Sequence, residues 1–156
     1  MKEINVSGSN RKAIVDDEDY EYVTSYMWSE SNERNYILAR VNGKTTSLAV
    51  HIMNRYNIHG ENIDHIDRDG FNNKKSNLRP ATVSQNQANS KISKINTSGY
   101  KGVWWRKNRN RWIAEIRIGG RKKHLGGFRT KEDAAKAYNK AAFLLFGPYA
   151  NLNEII

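Results

Sequence analysis

The chain has 156 residues, a formal charge of +10 and no cysteine, which excludes disulfides and thiolate metal sites and leaves oxygen and imidazole as the ligands for any metal. No apolar run approaches the ~18–20 residues of a membrane span, and the N-terminus lacks the apolar core of a signal peptide, so a cytoplasmic or nucleoid location is expected. The charge is uneven: Glu115 is the only acid between Lys91 and Arg129, whereas Asp16, Asp17, Glu18, Asp19 and Glu21 form an acidic run, an asymmetry that points to a nucleic-acid partner.

Residues 15–28 open on acids suited to a first helical turn. Tyr20, Val23, Met27 and Trp28 then recur at helical spacing, which predicts a short amphipathic helix. Residues 36–41 and 45–50 are β-prone and joined by Asn42-Gly43, a hairpin signal because both residues tolerate positive φ. A short helix is expected over 51–56. Ile63-Asp64-His65 falls where a strand meets a further hairpin, returning through Asn77-Leu78-Arg79. Thr82-x-x-Gln85 is a capping box opening a helix that carries Asn86 one turn in. The polar stretch 88–99 has no sustained period and reads as a linker.

The remainder is more regular. Strands are expected over 101–106, 111–118 and 122–128, with Gly119-Gly120 as the second turn. Thr130-x-x-Asp133 then caps a helix to about Phe146, stopped by Gly147-Pro148, with Ala134, Ala137, Tyr138, Ala141, Ala142 and Leu145 as its packing stripe. Alternation puts Trp112, Ala114, Ile116 and Ile118 of the middle strand towards that helix, and Arg111, Ile113, Glu115 and Arg117 outward. The chain thus divides into a first domain over residues 1–90, a linker at 91–98 and a second domain at 99–156. Within the first domain, residues 1–47 are expected to support a motif at about 48–90. The class is α+β.

An adjacent carboxylate and imidazole, Asp64-His65, are the chemical core of the first domain. With the Asn77-Leu78-Arg79 return and Asn86 on the capped helix, the order over about residues 51–89 resembles the ββα-metal, or HNH, endonuclease motif of the phage homing type. The resemblance implies His65 as general base, Asp64 and Asn86 as ligands of one Mg²⁺ or Mn²⁺, and Asn77 as holder of the loop and orienter of the His65 ring. A neutral imidazole with an ordinary pKa near 6.5 suits a base at cellular pH, and a single oxygen-ligated ion suits Mg²⁺. Asp67 and Asp69 are expected to shape the turn. His51 matches a histidine the family often has upstream, with a packed structural histidine as the other reading, and Arg79 has either a phosphate or a carboxylate as its partner.

Residues 98–153 resemble the ethylene-response-factor, or Apetala-two, DNA-binding domain. The match rests on Gly99-Tyr100-Lys101-Gly102-Val103, Trp112-Ile113-Ala114-Glu115-Ile116-Arg117, Leu125-Gly126-Gly127-Phe128, Ala134 to Asn139, Phe146-Gly147 and Asn151-Leu152-Asn153. In that family the sheet face contacts DNA, which implies DNA-binding roles for Lys101, Trp104, Arg106, Arg109, Arg111, Glu115, Arg117, Lys122 and His124. Trp104 stands where plant members usually carry arginine, and His124 where they carry tryptophan, so the plant target sequence does not transfer.

The two resemblances together predict a ββα-metal nuclease domain with N-terminal hairpin elements, joined to a three-stranded antiparallel sheet on one helix. Such a chain would cut double-stranded DNA in a bacterial host, as a homing nuclease or nickase and as a monomer or weak dimer. A DNA-binding regulator with a decayed nuclease domain is the alternative.

Overall fold

A computed structural model describes residues 1–31 and 36–155. By its internal packing the chain falls into two units, Met1–Thr82 and Val83–Ile156.

In the first unit, β1 (Lys2–Asn5) and β2 (Lys12–Val15) pair antiparallel and turn Ile4, Ala13 and Val15 inward. A 3₁₀ turn over Asp17–Asp19 leads into α1 (Tyr20–Thr24), much shorter than the helix expected over 15–28. Two contacts explain the difference. Val15 is already committed to β2, and the buried Trp28 folds back so that its indole Nε1–H donates to the Val23 carbonyl at 2.8 Å, occupying one of the acceptors a helix end leaves over. Met27, expected in the packed stripe, is 88% exposed.

Strands β3 (Ser29–Glu30), β4 (Ile37–Val41) and β5 (Lys44–Ser47) follow in one antiparallel sheet. Asn42 and Gly43 both take positive φ, 47° and 78°, with Val41 opposite Lys44, as the two-residue hairpin requires. The strand expected to reach Val50 stops at Ser47. There the Ser47 hydroxyl accepts from Val50 N–H at 3.3 Å and caps α2 (Leu48–Arg55), so Leu48 and Ala49 enter the core on a helix beside Ile52 and Met53. Strand β6 (Asn62–His65) pairs antiparallel with β7 (Leu78–Ala81), His65 lying opposite Leu78. Ile63, Phe71 and Leu78 join this core from the β6–β7 region.

The second unit opens with α3 (Val83–Asn89), followed by β8 (Val103–Arg106), β9 (Arg111–Ile118), β10 (Arg121–Phe128) and α4 (Lys131–Phe146). The sheet is antiparallel with β9 in the centre. Thr130 accepts from Asp133 N–H at 3.1 Å and caps α4. Small residues let the helix lie close: Ala134 and Ala135 pack with Val103 and Ala114, while Tyr138, Ala142 and Phe146 pack with Ile116. Phe146 takes the place expected for Leu145, which is 44% exposed. Gly102 (φ +74°) passes so near Tyr138 that a β-carbon there would lie 2.1 Å from the ring.

The domain boundary differs from the one expected at 91–98. Helix α3 belongs with the second unit, because Ala88 is buried against Ile116, Tyr138, Ala142 and Phe146. The Lys101 ammonium reinforces this by donating to the carbonyls of Ala88 and Ser90, both at 2.6 Å, a basic cap on the helix C-terminus.

Candidate active site and nucleic-acid interface

Strand β6 delivers Asp64 and His65 side by side, 4% and 7% exposed. The Asp64 Oδ2 oxygen accepts from Arg79 Nε at 2.9 Å and lies 2.8 Å from Arg79 Nη2. Arg79 on β7 sits directly opposite Asp64 in the ladder, so of its two expected partners it takes the carboxylate.

Burial pushes the His65 imidazole below its ordinary pKa, opposed by the Asn73 hydrogen bond and by the nearby Asp67, Asp64 and Asp69 carboxylates. The His65 Nε2 atom lies 3.1 Å from Asn73 Oδ1. Asn73 itself is 1% exposed and its Nδ2 donates to the Gly70 carbonyl at 2.9 Å. A carbonyl can only accept, so the carboxamide is oriented with its oxygen towards the ring. Nε2 must then carry the ring proton, which puts the basic lone pair on Nδ1.

Asn77 makes its side-chain hydrogen bonds within the loop. Its Nδ2 donates to Asp67 Oδ1 at 2.9 Å and to the Asn72 carbonyl at 2.8 Å, while its Oδ1 accepts from Asp67 N–H at 3.1 Å. That closes the 66–73 loop, but the ring is oriented by Asn73. Asp67 also accepts from Asp69 N–H at 2.8 Å and from Asn72 Nδ2 at 2.7 Å. Burial raises its carboxyl pKa, yet these hydrogen bonds prevail and hold it below the ordinary value. Asp69 pairs with Arg11 at 2.7 Å and accepts from Phe71 N–H at 3.1 Å. Both acids shape the turn.

His51 is a core residue. It is 5% exposed, stacks on Tyr22 at 4.3 Å and 3°, and meets Tyr26 edge-on at 5.1 Å. Burial lowers its pKa, and its Nε2 is buried with no hydrogen-bond partner.

Among the described residues no group of three or more His, Asp or Glu side chains is placed to hold a metal. A divalent ion at Asp64 would need its other ligands from carboxamide, water or phosphate oxygens. Asp64 fits that chemistry as a hard oxygen donor. Asn86 lies half-buried on α3, in the second unit.

On the second unit, register puts Trp104, Arg106, Arg111, Ile113, Glu115, Arg117, Lys122 and His124 on the sheet face away from α4. A bulge between His124 and Gly126 turns Leu125 into the core while His124 stays opposite Glu115 on the outer face. Glu115 and Lys122 approach to 3.8 Å. Arg109 lies exposed in the 3₁₀ turn over Lys107–Arg109. The Lys101 ammonium donates to carbonyls at the end of α3 and lines one cavity with Trp104, Glu115, Arg117 and Lys122.

A family profile described as AP2 domain matches residues 98–148. An uncharacterized HNH endonuclease of Acanthamoeba polyphaga mimivirus is 40% identical over 94 residues, 60% of this chain and 47% of that protein. This alignment is longer than the whole segment 98–148, so it includes residues outside it. Protein 3.8 of Escherichia phage T7 is 41% identical over 73 residues, 47% of this chain and 58% of the phage protein. An ethylene-responsive transcription factor of Arabidopsis thaliana is 48% identical over 56 residues, 35% of this chain and 30% of the plant protein. The chain therefore spans about half the length of the viral relatives it matches. No solved structure matches it. Residues 98–148 are an AP2 domain of the ethylene-responsive-factor kind, and the chain joins it to an N-terminal region similar to a viral HNH endonuclease.

Proposed function

We propose that the chain is a DNA endonuclease whose AP2 domain holds duplex DNA while the Asp64–His65 centre hydrolyses a phosphodiester bond. The observation that carries this reading is the buried His65 ring, lowered in pKa by that burial and fixed by Asn73 with its lone pair on Nδ1. An imidazole so prepared takes the proton of an attacking water at Nδ1. The water oxygen bonds to phosphorus, and the bond to the 3′-oxygen breaks. Asp64 would hold one Mg²⁺ or Mn²⁺, which when bound stabilises charge on the phosphate and leaving oxygen. The assignment of Asn86 as a further ligand rests on the order of residues in the HNH resemblance. On the second unit, Arg106, Arg111, Arg117 and Lys122 supply the positive face that duplex DNA requires.

Supercoiled plasmid incubated with the chain and Mg²⁺ tests the reading. Conversion to nicked or linear DNA is expected, abolished by EDTA and strongly slowed in Asn86→Ala. Intact plasmid over a range of Mg²⁺ and Mn²⁺ concentrations would leave a DNA-binding protein without nuclease activity.

A further inference from the structure

The outer sheet face is not uniformly charged. Its cations stand towards the two ends, Arg106 opposite Arg111 at one and Arg117 opposite Lys122 at the other, with Glu115 opposite His124 on the inner side of the second pair. Between them runs one apolar row, in which Trp104 lies opposite Ile113 and Ile113 opposite Gly127. Ile113 is 3% exposed although it lies on the face away from α4. Trp104 is 39% exposed, and Gly127 contributes no side chain. The accessible apolar surface of the row is therefore the Trp104 indole.

The four cations of this face, against the single carboxylate of Glu115, favour a nucleic-acid duplex as the occupant. In the major groove the four base edges offer donors and acceptors almost throughout. Thymine alone adds an apolar group, its 5-methyl. A base edge facing polar side chains is satisfied by any of several partners, whereas the carbon surface of an indole, apart from its single N–H donor, gains by contact with a methyl. We infer that Trp104, completing the row with Ile113 and Gly127, is a specificity-determining residue that reads a thymine through its 5-methyl group. The inference rests on the reading that this face binds duplex DNA, and it names the base chemistry at the centre of the site.

The test uses the full chain in EDTA, so that no cleavage intervenes. Preferred duplexes are selected from a random library. Each thymine of the selected site is then replaced singly by deoxyuridine, which removes only the methyl. At one position or more the affinity is expected to fall about fourfold, the worth of one buried methyl group. In Trp104→Ala and Trp104→Arg, substitutions at an exposed position, thymine and deoxyuridine are expected to bind alike. A selected site without thymine, unchanged affinity at every position, or a penalty that persists in both variants overturns the inference while leaving DNA binding in place. Absence of affinity for any duplex overturns the binding reading itself, and the inference with it.

Discussion

At the scale of single residues, Asn73 is where sequence and structure differ most usefully. A histidine beside an aspartate is visible in any reading of residues 64 and 65. The carboxamide that fixes the ring is eight residues on, in an aperiodic loop, and its role depends on Gly70 offering a carbonyl at 2.9 Å. No local pattern encodes that contact. Asn73→Ala is expected to leave His65 Nε2 without its partner in a buried site, lowering stability by about 1–3 kcal/mol and slowing cleavage by about tenfold or more; unchanged thermal unfolding and rate would remove Asn73 from the site. His51 and His65 add a pH dependence. Burial lowers both imidazoles in the folded chain relative to the ordinary 6.5, so the unfolded chain binds more protons just below that value. Their contribution to stability is therefore complete above pH ~6.5 and declines as pH falls through the folded-state values. Denaturant titrations between pH 8 and 5 should show this decline, reduced in His51→Phe.

At the scale of elements, what was legible was local. Asn42-Gly43, Gly119-Gly120 and the Thr130 cap each specify a turn or a helix start from two to four neighbouring residues, and each is found in place. What was not legible was decided by distant partners. Helix α1 ends early because Trp28 returns to Val23. Helix α3 belongs with the AP2 sheet because Ala88 meets side chains from β9 and α4, and because Lys101, which looks like a DNA contact in the linear sequence, reaches back to cap it. Two expectations follow. Lys101→Met should lower the stability of the second unit by about 1–2 kcal/mol, by loss of charge-assisted hydrogen bonds to α3, with little change in the salt dependence of DNA binding. Gly102→Ala should cost about 3 kcal/mol, combining a positive φ with overlap on Tyr138; a loss below 1 kcal/mol in calorimetry would show that the ring can move aside.

At the scale of the whole molecule, chemistry and charge are divided. The acidic run from Asp16 to Glu21 and the carboxylate–imidazole pair lie in the first unit, and a stretch rich in lysine and arginine with Glu115 as its one acid lies in the second. If the proposed binding face is right, the cations of the outer sheet face would each neutralise about one phosphate, so log affinity should fall steeply with log salt, and Arg117→Ala should reduce that slope by about one. Lys44→Ala, an exposed change in the first unit, should leave the slope alone. The central claim, that His65 carries the cutting while the outer sheet face of the second unit carries the binding, is tested most directly by following both on one labelled duplex. His65→Ala should bind that duplex as tightly as the wild-type chain in EDTA, yet cleave it about 10²–10⁴-fold more slowly in Mg²⁺. Equal cleavage by the two proteins, with binding intact, would contradict the assignment of His65.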